Sequence, residues 1–353
     1  MRRLIALLLL LSPAVAFAQT PAPADRPGEG VVMPSGVSFA PADEQQTSAR
    51  PAPTTTPPPA PRRRPSMVGY VGDASIGSEL RVRFDAGSGI EAPDRAEFFY
   101  GKCGCYRGLP ANHPAYDPDA PGPGPGIATD LNYQQLNIFA EYAMNGRVSV
   151  FGDIPVRWLQ PQAFAAGFGT FSNGTGFSDI RAGLKAGLVA NDRQYLTAQV
   201  EFVFPSGDAA KGLGTNHSSF APTLLYLQRA GDRVTVESQF GVVFPIGGSA
   251  GIPTSGSEKF AGTVITYAGG VSVELAPNGR IHFAPVVELF AWHVVNGFQT
   301  LTLGPADGTD IANIKIGGRV GTDRQSVYFG YGQAMTEAGW YDKIFRTEFR
   351  VGF

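Results

Sequence analysis

From about residue 131 to the end of the chain, apolar and polar residues alternate in runs of about ten to thirteen. The runs are joined in turn by tight polar connections and by longer glycine-rich ones. A period of two sends successive side chains to opposite faces of an extended strand. Leu136, Ile138, Ala140 and Tyr142 thus oppose Gln135, Asn137, Phe139 and Glu141, and Val148, Val150, Ile154, Val156 and Trp158 oppose Arg147, Ser149, Asp153 and Arg157. Between these two runs lies Asn145-Gly146, where a type I′ turn is expected. Similar pairs surround Asn191-Asp192, Ala230-Gly231-Asp232, Pro277-Asn278-Gly279 and Gly321-Thr322-Asp323. Short turns alternating with long loops, on strands apolar on one face and polar on the other, predict an all-β fold: a transmembrane antiparallel up-and-down β-barrel.

No run past the leader approaches the roughly 20 unbroken apolar residues of a spanning helix. The leader itself has Arg2 and Arg3, an apolar stretch from Leu4 to Leu11, and small residues in Ala14-Val-Ala-Phe-Ala18, so residues 1–18 read as a signal peptide. Residues 19–66, rich in Pro, Ala and Thr as in Pro51 to Pro61, read as a disordered periplasmic tether with nothing to bury. Residues 67–353 read as the barrel, exported to the bacterial outer membrane.

The strand count is eleven from about 131 onward, and Leu80, Val82 and Phe84, alternating with charged neighbours, supply a twelfth. An even number lets both ends of the barrel lie in the periplasm. Residues 86–130 then form one long external loop, although Arg95–Gly101 could itself be extended. At the other end Phe345, Thr347, Phe349, Val351 and Phe353 share one face and Arg346, Glu348 and Arg350 the other. A terminal Phe on such a strand resembles the C-terminal signature by which the barrel-assembly machinery recognises outer-membrane barrels. Trp158, Trp292, Trp340 and Tyr341 near the outer strand ends, with Tyr142, Tyr195, Tyr226 and Phe353 near the inner ends, are expected as two interfacial girdles.

Further segments carry a family resemblance: Phe177-Ser-Asp-Ile-Arg-Ala-Gly-Leu-Lys-Ala-Gly-Leu188, Phe202-Val-Phe-Pro-Ser-Gly-Asp208 leading to Lys211-Gly-Leu-Gly-Thr215, and Phe244-Pro-Ile-Gly-Gly248. Together these resemble the outer-membrane family called putative MetA-pathway of phenol degradation. The resemblance runs over about 130–353, excludes the tether and the Cys103 loop, and transfers no functional residue. It implies a barrel that admits hydrophobic or aromatic compounds.

The lumen-lining candidates are Glu141, Asp153, Arg157, Arg181, Lys185, Glu201, Glu237, Glu288, Lys315, Arg319, Arg346 and Glu348. Their mixed signs argue for mutual pairing and against an ion-selective ring. With a formal net charge of -2, the chain gives no reason to expect a nucleic-acid partner. The two cysteines, Cys103 and Cys105, are candidates for a disulfide with each other or with another chain, while only His113 lies near enough to suggest metal.

His217-Ser218-Ser219 lacks the fuller His motif of outer-membrane phospholipase A, and adjacent side chains on one strand diverge. Gly207–Gly214 lacks the Gly-Lys-Ser/Thr of a phosphate loop. Neither an enzyme, a cofactor nor a metal is expected. Two functional readings remain: passive passage of small, hydrophobic or aromatic solutes, or a structural or surface-interaction barrel with a plugged lumen and binding outer loops.

Overall fold

The computed structural model describes residues 66–94, 100–113, 115–248, 259–277, 279–302, 304–336 and 340–353. The strands are β1 (Glu79–Ile90), β2 (Ala128–Asn145), β3 (Val148–Phe164), β4 (Gly174–Phe177), β5 (Ile180–Ala190), β6 (Gln194–Phe204), β7 (Ser218–Ala230) and β8 (Val234–Ile246). They continue with β9 (Val264–Val273), β10 (His282–Val294), β11 (Phe298–Gln299), β12 (Gly304–Pro305), β13 (Asp310–Gly321), β14 (Gln325–Ala334) and β15 (Lys343–Gly352). Nearly every wall strand pairs antiparallel with its neighbour in sequence, as alternating hairpins require. The ring closes where β1 pairs with β15 on one side, Val82 opposite Phe349, and with β2 on the other, Val82 opposite Ile138.

β4 and β5 lie end to end along β3, opposite Val156–Leu159 and Val148–Asp153, and act as one interrupted wall strand. The small β11–β12 hairpin stands apart. The wall is thus a closed barrel of twelve antiparallel strands.

The alternation now has a physical meaning. Leu80, Val82, Ile138, Ile154, Leu184, Phe345 and Phe349 form part of an exposed apolar exterior, whereas Glu141, Lys185, Glu288, Arg319 and Glu348 are buried inside. An apolar outer belt around a closed ladder, which leaves no sheet edge unpaired, is what a hydrocarbon environment demands. At one end sit the tight turns and both ends of the wall; at the other sit the long connections 91–127, 205–217 and 295–309.

Several expectations are corrected. Strand β1 runs on to Ile90 and β2 starts at Ala128, so the first long loop is shorter than 86–130; backbone pairing across a bulge between Gly87 and Ile90 carries the ladder further. The turn at Asn145-Gly146 is not type I′, because neither residue has the positive φ that turn requires. Instead the Asn145 side chain accepts hydrogen bonds from Arg147 N–H at 2.8 Å and Val148 N–H at 2.9 Å, taking over the turn's free donors.

The girdles hold only in part. Tyr142 faces outward, but Trp292 lies 5.7 Å from the inward Lys315, Tyr341 is buried, and Tyr195 packs on Ala74 and Leu225. Ring burial in a packed lumen outweighs the interfacial preference at these positions. The signal peptide, the tether up to residue 65 and Arg95–Phe99 lie outside the described residues.

Candidate functional site

The largest departure from the sequence reading is at residues 66–78, which belong neither to a tether nor to the wall. They enter the lumen from the tight-turn end and return to it. Met67 lines a small cavity at that end with Gly231 and Thr322, Tyr70 reaches mid-barrel, and Ser78 comes back to accept a hydrogen bond from Ala143 N–H at 3.1 Å. An inserted backbone has no ladder partner, so each buried N–H and C=O must find a side chain. The wall supplies them.

Glu288 accepts from Gly69, Tyr70 and Val71 N–H at 3.2, 2.8 and 2.7 Å, and from the Tyr328 hydroxyl at 3.1 Å. Gln239 accepts from Gly72 N–H at 2.7 Å. Arg319 donates to Met67 and Val68 carbonyls at 3.3 and 2.9 Å, Arg346 to Gly69 C=O at 2.7 Å, and Arg350 to Ser66 C=O at 3.2 Å. Lys185 and Thr197 donate to the carbonyls of Asp73 and Ala74. Hydrogen bonds to charged groups contribute about 1.5–3 kcal/mol each, so this set holds the segment firmly. Gly69 is required at its position: a Cβ there would overlap the Tyr328 ring.

The same wall ions also pair with one another. Lys185 meets Glu141 at 2.7 Å, Arg319 meets Glu348 at 2.8 Å, and Arg346 holds Asp85 through two bonds at 2.6 and 2.9 Å. Glu237 accepts from the Ser66 hydroxyl at 3.0 Å. Arg350 bridges Asp73 at 3.1 Å and Glu348 at 3.4 Å.

Away from the inserted segment the pairing loosens. Asp153 accepts from Asn137 at 2.9 Å, with Arg83 3.9 Å away, and Arg157 donates to Gln135 at 2.9 Å. Arg181 and Glu201 are 4.0 Å apart with side chains 40% and 22% exposed. Ion pairing is therefore sparser along β3 to β6 than where the inserted segment docks.

At mid-barrel the Tyr70 ring meets two cations, Lys315 Nζ at 4.0 Å and the Arg346 guanidinium at 3.9 Å from its centroid, and the Tyr328 ring edge-on at 6.2 Å. Desolvated cation–π contacts contribute about 2 kcal/mol. From here an apolar cluster that includes Tyr133, Tyr341, Leu131, Leu159 and Tyr100 extends toward the long loops, with Phe164, Phe171 and Trp340 against it.

Over the mouth, the first long loop folds inward. Cys103 and Cys105 are joined as a disulfide within a buried group holding Tyr106, Phe260 and Phe298. Lys102 pairs with Asp117 at 2.7 Å, and the Tyr106 hydroxyl bonds Thr300 at 3.1 Å. The His113 ring nitrogen accepts from Ala115 N–H at 3.1 Å, and among the described residues no cluster of His, Cys, Asp and Glu could hold a metal ion. His217 Nδ1 lies 2.9 Å from Thr215 C=O, and burial lowers the imidazole pKa.

Sequence reasoning placed the lumen side chains by parity but missed what they bond. One signal was available: so many guanidinium and carboxylate groups in a narrow lumen exceed what they need for each other. The segment 66–78, with no alternation of its own, is the missing partner.

No curated protein matches the chain. An outer membrane channel from Pseudomonas putida F1 superposes with a TM-score of 0.48 at 13% identity, covering 81% of this chain and 100% of that one. The beta domain of the Bordetella autotransporter BrkA gives 0.44 at 12% identity, covering 78% and 100%, and the NanC porin 0.42 at 8% identity, covering 78% and 99%. Residues 128–274, from β2 to just past β9, match the family described as Putative MetA-pathway of phenol degradation.

Proposed function

We propose that this barrel spans the bacterial outer membrane and passes small hydrophobic or aromatic solutes, with residues 66–78 as the obstacle each solute must move. One observation carries the reading: the outer half of the lumen holds a packed cluster of aromatic and aliphatic side chains that extends inward to Tyr70. A purely structural barrel has no need of an apolar lane inside a polar ring. Outer-membrane lipid meets the apolar exterior, and Phe353, 79% exposed just past the last strand, is the group offered to the assembly machinery. The candidate lumen residues divide between holding the inserted segment and lining the looser side along β3 to β6.

A second reading has its own support. The inserted segment and the inward-folded mouth fill much of the barrel, as a plugged structural or surface-binding protein requires. Liposome swelling with a water-soluble aromatic glycoside, and single-channel recording, separate the two. Passage predicts slow swelling and rare openings for the parent, and faster swelling and longer openings for Glu288→Ala, which removes the acceptor of three N–H groups of the segment. Impermeable liposomes and silent bilayers for both proteins, each folded by its heat-dependent gel mobility, would leave only the plugged barrel.

A further inference from the structure

The Tyr70 side chain is held in an unusual way. Its ring faces Lys315 and Arg346 at 4.0 and 3.9 Å and the edge of Tyr328, yet its hydroxyl, though buried, makes no hydrogen bond among the described residues. What the wall grips is the π face, not the phenolic oxygen. Lys315 in turn makes no salt bridge among the described residues, although Glu288 stands opposite it across β10 and β13; its other ring neighbours are Phe290 at 4.7 Å, Trp292 at 5.7 Å and Tyr341 at 5.8 Å. A buried ammonium normally takes a carboxylate partner. Here four aromatic rings lie around it, one of which belongs to a segment tied to the wall by side-chain hydrogen bonds and the Asp73–Arg350 ion pair. The apolar cluster reaches this point from the long-loop mouth.

We infer that Lys315, Arg346 and Tyr328 form a ligand seat for a planar, electron-rich aromatic ring, that Tyr70 occupies it as a ligand built into the chain, and that an aromatic solute takes the seat by displacing Tyr70 and loosening residues 66–78. Only the solute's route to the seat rests on the passage reading; the seat itself rests on the geometry around Tyr70. Because the hydroxyl goes unused, the seat selects for the ring and not for a phenol. A saturated ring of equal size has no π face and is excluded. Competition with a tethered ligand lowers apparent affinity by the fraction of time the seat is open, so removing Tyr70 should tighten binding.

The probe is p-cresol, the tyrosine side chain cut from its backbone, added to the full chain in detergent. Binding is read by fluorescence of Trp292 and Trp340, whose rings lie 5.4 Å apart at a tilt of 40°, with Trp292 5.7 Å from Lys315. Amide exchange over 66–78, followed by mass spectrometry, reports displacement. The seat predicts faster exchange of that segment with p-cresol, binding about tenfold tighter in Tyr70→Leu, about tenfold weaker in Lys315→Met, and no competition from cyclohexanol. Toluene binding as well as p-cresol supports selection for the ring. Tyr70→Leu binding no tighter than the parent, or cyclohexanol competing equally, overturns the inference. Should Lys315→Met fail to give a heat-modifiable barrel, the Tyr70→Leu comparison decides alone. Tightened p-cresol binding with liposomes still impermeable supports the seat while ending the passage reading, so the two fail separately.

Discussion

Lys185 illustrates how a single side chain in this lumen serves two masters. Its ammonium bonds Glu141 at 2.7 Å and the Asp73 carbonyl at 3.0 Å, so wall and inserted segment share one charge. Removing one member of a buried pair strands the other, at about 3–5 kcal/mol, whereas replacing both with apolar groups is far milder. Lys185→Met should therefore destabilise strongly, and Lys185→Met with Glu141→Leu should recover most of the loss. A double-mutant cycle from denaturant titrations checks this. Additive losses would mean the pair is not coupled as its geometry requires. Glu288 is the converse case, one carboxylate that satisfies four donors and makes no salt bridge among the described residues.

Among the elements, the loop between β6 and β7 closes against the barrel mouth through a few polar contacts. Asp179 accepts from Gly207 N–H at 3.0 Å and from Thr215 N–H at 2.8 Å, and His217 is buried beside them. Since burial lowers the His217 pKa below its ordinary value near 6.5, the unfolded loop binds the proton first. Closure is then fully favoured above about pH 6.5 and is progressively lost as pH falls from there toward the lower folded value. Amide exchange in 205–217 should accelerate on mild acidification, and His217→Gln should flatten that dependence. An unchanged pH response in His217→Gln would assign it to another group. The turn at Asn145 shows the same economy, one side chain replacing the backbone geometry that type I′ would need.

For the molecule as a whole, the inserted segment couples the stability of the barrel to its permeability. Deleting 66–78 takes away partners of Glu237, Glu288, Arg319, Arg346, Arg350 and Lys185 together. Water entering the lumen would resolvate them incompletely, at about 1 kcal/mol for each group left short. The deletion should lower the thermal midpoint of the heat-modifiable barrel while raising its conductance. An unchanged midpoint with raised conductance would show that the segment is a passive stopper without a part in stability.

The twelve strands, their inward and outward faces and the closure of the ring were legible in the sequence, because the period of two is local and a one-residue slip would turn every charged side chain into lipid. Arg346, Glu348 and Arg350 could be assigned to the interior from their neighbours alone. What those groups bond was not legible. The partners of residues 66–78 on the wall lie from 65 to 284 positions away in sequence, between Ser78–Ala143 and Ser66–Arg350. They converge only once the wall has closed, and the segment has no periodicity to announce an element. Trp292 and Tyr341 were misplaced for a related reason: interfacial preference is a property of the residue, while the ring packing that overrides it belongs to the filled lumen. Strand alternation along the chain is enough to specify a membrane-type barrel. The tertiary structure alone decided that its lumen is occupied by its own chain, since bare backbone in a closed, charged interior is stable only where side chains from distant strands are brought to meet it.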